Sequence, residues 1–134
     1  MHIKSSFLLI VIVTATLLSC AKKNEIIDGI QLNKKSFSIN KNTQIIVVTT
    51  KGINWWIGSA MKDSSYLNLQ PQVSGTSFAD CNGMFADSTV EIKRSHCVTL
   101  QIKINENKTN ASRKFAIQLE DGDYFDQVTI IQNK

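Results

Sequence analysis

Residues 98–104 alternate without a break, with Val98, Leu100, Ile102 and Ile104 on one side and Thr99, Gln101 and Lys103 on the other. A repeat of two is the side-chain repeat of a pleated strand, so only a strand lets this segment bury one face and wet the other. A partner follows the polar stretch 105–110: Phe115, Ile117 and Leu119 alternate with Lys114, Ala116, Gln118 and Glu120. Asp121-Gly122-Asp123 then supplies turn chemistry into residues 124–132, where Val128 and Ile130 continue the buried face. Upstream, residues 36–39, 44–50, 54–57 and 66–70 read as further strands. About seven short strands, a single proline and no stretch of helical period predict an all-β fold, an antiparallel sandwich with apolar inner and polar outer faces.

The N-terminus carries a different pattern. Met1-His2-Ile3-Lys4 is short and basic, and residues 7–18 are apolar apart from Thr14 and Thr16. That run is too short for a bilayer-spanning helix, which needs about 20 apolar residues, and fits the apolar region of a signal peptide. Leu17-Leu18-Ser19-Cys20 resembles the lipobox cut by lipoprotein signal peptidase. Residues 1–19 are therefore expected to be a leader and Cys20 an acylated first residue. The competing reading is an ordinary leader whose cut happens to lie beside a cysteine. Each buried methylene contributes about 0.8 kcal/mol, so several acyl chains make a lasting membrane anchor. Residues 20–28 form a polar tether broken by Ile26 and Ile27, and residues 29–134 suffice for one small domain. The expected location is the cell envelope, as an outer-membrane lipoprotein. Ala21-Lys22-Lys23-Asn24 lacks an acidic surface-export run, which leaves periplasmic and surface orientations open.

The formal net charge of +4 is mild, and the basic pairs Lys22-Lys23, Lys34-Lys35, Lys93-Arg94 and Arg113-Lys114 fit solvated strand ends and turns. No nucleic-acid footprint results. Lys22-Lys23 could instead lie against an anionic membrane surface. Of three cysteines, lipid takes Cys20, which leaves Cys81 and Cys97 as a pair. In an oxidising compartment they are expected to bridge, at about 3 kcal/mol of stabilisation; the alternative is two free thiols. A metal site is not expected, because His96 adjoins Cys97 and no fourth ligand stands at a recognisable spacing.

Several segments carry a resemblance. Thr49-Thr50-Lys51-Gly52-Ile53-Asn54-Trp55-Trp56-Ile57, then Tyr66-Leu67-Asn68-Leu69-Gln70-Pro71 and Gly75, resemble the first half of a BACON domain, a Bacteroidetes-associated module. Residues 98–104, the turn with Asn105, Asn107 and Thr109, the Arg113-led strand and Val128-Thr129-Ile130-Ile131-Gln132 are similar to its second half. The resemblance implies an immunoglobulin-like sandwich without a catalytic centre, in glycan-degrading or glycan-binding systems or as a spacer. Tyr66 stands where the family usually has a second tryptophan. Residues 76–97 are longer than the usual link and look like an inserted excursion closed by the cysteines. The family spacing, an aliphatic residue two positions after the first tryptophan, places Trp55 inward with Ile57 and Trp56 outward beside Gly58.

Catalysis finds little support in the residues. In the mature chain His96 is the sole histidine, and the carboxylate pairs Asp121/Asp123 and Asp80/Asp87 fit turn chemistry and solubility. Phosphate loops, CxxC motifs and calcium loops are absent, and no cofactor is expected. Asn107-Lys108-Thr109 and Asn110-Ala111-Ser112 match the sequon pattern and read as turn residues. Asp87-Ser88-Thr89 resembles a bacterial O-glycosylation acceptor, a three-residue pattern that also arises by chance. The candidate ligand-binding residues are Trp56, Phe78 and Phe85. Trp56 either stacks on a sugar or lies under the 76–97 segment. Phe78, Met84 and Phe85 are expected near the sandwich rim and partly exposed, the alternative being that Phe78 or Phe85 plugs one open end. The expected function is a non-catalytic envelope module that binds a glycan or serves adhesion; the alternative is a spacer or accessory subunit docking another envelope protein.

Cys20→Ser should block processing and leave a precursor that takes up no palmitate analogue; normal metabolic labelling of that variant would remove the anchor.

Overall fold

A computed structural model describes residues 29–134; the expected leader 1–19, the expected lipidation residue Cys20 and the expected tether 20–28 lie outside the described residues. The alternating segments become strands, in chain order β1 Ser36–Ile39, β2 Gln44–Thr49, β3 Trp56–Lys62, β4 Ser65–Tyr66, β5 Gln70–Pro71, β6 Gly83–Ala86, β7 Val90–Ser95, β8 Thr99–Ile104, β9 Arg113–Asp121 and β10 Tyr124–Gln132. They form two five-stranded sheets, in the orders β1-β10-β9-β3-β4 and β2-β8-β7-β6-β5. The fold is an all-β sandwich, as the periodicity predicts.

The core lies between the two inner faces. Val90, Ile92, Leu100, Ile102 and Ile104 from one sheet meet Phe115, Ile117, Leu119, Val128 and Ile130 from the other, all fully buried. Burial of each such side chain contributes about 1.5–3 kcal/mol. Four details differ from the sequence expectation. The expected strand 66–70 splits into the two-residue β4 and β5, and β6 and β7 are additional, which brings the total to ten. β1 pairs with β10 in parallel, because the chain crosses between sheets after Ile39 and leaves β1 beside the last strand. β3 starts at Trp56 and runs to Lys62, while residues 67–69 stay outside any strand although Leu69 is buried. Segment 76–97 is no add-on to a finished sandwich, since it contributes β6 and β7. β7 is the middle strand of its sheet, paired to β6 and β8, and its Val90, Ile92 and Arg94 point inward.

Arg94 is the third inward residue of that alternation, and only 1% of it is exposed. A buried guanidinium must find acceptors. Its Nη1 donates to Ala79 O at 2.8 Å and Asp80 O at 3.4 Å, and its Nη2 to Ile53 O at 2.8 Å and Cys97 O at 3.2 Å. Its flat face lies 4.0 Å from the Trp55 ring. Burial lowers its pKa from the ordinary value, with Asp80 partly offsetting the effect. Trp55 in turn donates its indole N–H to Thr50 Oγ1 at 2.7 Å and Gly52 O at 3.1 Å. Gly52 is required by close approach, because a Cβ there would overlap the carbonyl of Gly29.

Cys81 and Cys97 form a disulfide at the same corner, with Cα atoms 4.1 Å apart. It helps to hold the turn after β7, where His96 and Cys97 adopt positive φ of 52° and 61°. His96 N–H also donates to Asn82 Oδ1 at 3.0 Å.

Arg94→Lys should lower stability by about 3 kcal/mol, since an ammonium keeps the charge but loses the fork and the stacked face. Urea unfolding should show a lower midpoint at constant slope. A loss below about 1 kcal/mol would show that the guanidinium is dispensable.

Candidate functional site

Register places three side chains from separate strands in one row. Trp56 on β3 and Phe125 on β10 both pair with Glu120 on β9, and directly opposed residues of antiparallel strands share a face. The inward positions beside them are Ile57, Leu119 and Asp126, so the row lies on the outer face of the first sheet. Trp56 and Glu120 are half-buried and Phe125 is 61% exposed. Two strand spacings separate the aromatics, roughly 10 Å at the backbone. The next outward row is amide-rich: Ser59, Gln118 and Gln127, with Ser59 Oγ donating to Gln118 Oε1 at 3.0 Å. Gln118, Phe125, Asp126 and Gln127 border a shallow depression of about 280 Å³.

A β-bulge between Ile57 and Ser59 sets Gly58 beside this row. A glycine facing outward beside Trp56 would leave room for a flat partner. Instead the Glu120 side chain occupies it, and a Cβ at Gly58 would overlap that carboxyl group. On the other side of β3 lies a cleft of about 330 Å³, lined among others by Gly58, Ser59, Tyr66, Asn68 and Phe78. Tyr66 is 77% exposed, and Phe78 stands partly exposed with its carbonyl accepting from Ile57 N–H at 3.4 Å. Ser59 joins the two areas, since it lines the cleft and holds Gln118.

The three sequence-derived candidates therefore separate. Trp56 lies on the outer face and is not covered by residues 76–97 to the point of full burial, and Phe78 borders the cleft. Phe85 does neither: at 1% exposure it belongs to the core, because it lies on the inward parity of β6, and Phe78 stacks on it with ring centroids 4.2 Å apart. Met84, on the other parity, is half-buried. Tyr66, Phe125, Gln118 and Gln127 were not among the binding candidates named from the sequence. Phe125 was within reach, since counting back by twos from Ile131 gives the outward parity of β10. Asn107 is buried, and its amide donates to Ala111 O and Asn133 O, which makes it a turn residue as read from sequence. Among the described residues no group of three or more His, Cys, Asp or Glu could hold a metal ion.

No protein-family model and no curated protein matches the chain. An NMR structure of a protein from Bacteroides thetaiotaomicron is similar, with a TM-score of 0.62 and 20% identity over 85% of this chain and 94% of that one. That likeness establishes a shared fold. A Bacteroides ovatus GH5 xyloglucanase in complex with a XXXG heptasaccharide matches 78% of this chain but 18% of its own length, at a TM-score of 0.46 and 9% identity. Fold alone assigns no function.

Adjacent in sequence, Trp55 and Trp56 have opposite duties. Trp55→Ala should cost about 3–5 kcal/mol, a large core truncation. Trp56→Ala should cost under about 1 kcal/mol, as for other partly exposed positions. Thermal melts of the two variants in the reverse order would invert the assignment.

Proposed function

We propose that this chain is a lipid-anchored, non-catalytic protein of the outer membrane, BACON-like in type, that binds a neutral glycan on the outer face of its first sheet. The observation carrying this reading is the row Trp56, Glu120 and Phe125 beside Ser59, Gln118 and Gln127. A pyranose presents C–H groups on its faces and hydroxyls around its edge. Aromatic rings accept the first, and amides and a carboxylate bond the second. The row is flat and open, which suits one side of an extended chain, and the adjoining cleft with Tyr66 and Phe78 offers a place for a branch or a chain end. The Cys81–Cys97 bridge is consistent with a compartment outside the cytoplasm.

Titration calorimetry of the chain from Ala21 against a panel of neutral oligosaccharides tests the reading. At least one glycan should bind, and Trp56→Ala and Phe125→Ala should each weaken it about tenfold, or 1.4 kcal/mol, with melting unchanged. No binding across the panel, or binding indifferent to both substitutions, would overturn it.

A further inference from the structure

Among the described residues the two sheets have four free edges, and three are short. β4 and β5 have two residues each, β5 includes Pro71, and β1 has four. β2 is different. It has six residues, pairs on one side only, with β8, and carries no charged side chain, proline or bulge. Free edges are ordinarily blunted by such devices, because an open row of peptide groups recruits another strand.

The open peptide groups follow from hydrogen bonds at the end of the strand. Thr49 N–H donates to Asn33 Oδ1 at 2.9 Å and Thr49 O accepts from Asn33 N–H at 3.0 Å, both away from β8. Thr50 N–H points the other way, to Val98 O at 2.9 Å. Peptide orientation alternates along a strand, so the N–H and C=O of Ile45 and Val47 also point away from β8. Their side chains face solvent on the outer surface, 58% and 53% exposed. Asn33 closes the Thr49 end, which leaves an open stretch centred on Ile46.

We propose that β2 pairs with β2 of a second copy of this chain, antiparallel about a two-fold axis at Ile46. In that register Ile45 of each copy lies opposite Val47 of the other. Such opposed residues exchange N–H···O bonds in both directions, so every open N–H and C=O of Ile45 and Val47 finds a partner. Opposed residues also share a face. Two isoleucines and two valines then meet on the outer surface, and Ile46 meets its own counterpart on the inner one. No like charges are set against each other, since Gln44–Thr49 has none. A second copy is the fitting occupant because the open stretch is its own complement in length, parity and apolar character, which is the requirement of an isologous interface. The product is one continuous sheet through both copies.

Sedimentation equilibrium of the chain from Ala21 tests this; it retains residues 29–134, which hold both sheets and the core cluster between them. A monomer–dimer equilibrium is expected. Val47→Pro removes an open N–H without taking a bond from β8, as proline allows on an edge. Ile45→Lys places charge at the contact and does not alter the backbone. Each should weaken the dimer on the order of a hundredfold while the melting midpoint holds, and Lys93→Ala, on the outer face of β7, should leave it unchanged. If Val47→Pro fails to fold, Ile45→Lys decides. A wild-type chain that stays monomeric at every concentration, or a dimer untouched by both edge variants, would overturn the proposal.

Discussion

Arg94 stacks on Trp55 while its terminal nitrogens hold carbonyls of Ile53, Ala79, Asp80 and Cys97, and the geometry of that end of the sandwich follows from this contact. The connection before β3, the loop before β6 and the turn after β7 have no regular ladder to order them there. A planar cation with a fork of donors can satisfy several carbonyls at once, which a point charge cannot. Burying it is unfavourable by itself, and pairing with hydrogen-bond acceptors and an aromatic face offsets the cost. Such a network is worth most as a selector of one arrangement, because any alternative packing strands a charge. The disulfide closes the same corner covalently.

The opposite end uses an amide for the same purpose. Gln132, fully buried, donates to Lys41 O, Asn42 O and Asn105 O, and its Oε1 accepts from Arg113. Asn107 adds bonds to Ala111 and Asn133 and receives its own local bonds from Thr109. Each open end of the sandwich is thus sealed by polar side chains whose partners are mostly backbone carbonyls. These seals carry the conformation of the loops, while the aliphatic layer between the sheets carries the bulk of the stability.

Outward features depend on this rigid frame. Trp55 is held on both ring face and N–H, which orients the strand that follows and turns Trp56 to the outer surface. At the bulge, the space that Gly58 leaves by lacking a side chain is filled by the Glu120 carboxyl group. The aromatic row belongs to the first sheet and the bare β2 edge to the second.

Alternation in residues 98–104 and 113–132 determined the strands, their inner faces and the sandwich class, because inside and outside are set locally by the pleat. The Cys81–Cys97 bridge was legible for a related reason: the expectation that Cys20 carries lipid leaves these two with only each other. The same rule applied to Val90, Ile92 and Arg94 contains the inward direction of Arg94, yet a basic pair at a strand end reads as solvated until carbonyls from three other segments are seen around it. Segment 76–97 looked peripheral by length, and its place in the middle of a sheet became visible only through pairing with Leu100, Ile102 and Ile104. Phe85 and Trp56 are both aromatics in short strands, one in the core and one on the surface, a distinction made by which face each sheet turns to its partner. The row Trp56, Glu120 and Phe125 exists only in the folded chain, because its members come from β3, β9 and β10, and register between distant strands is a property of tertiary packing, not of any local segment.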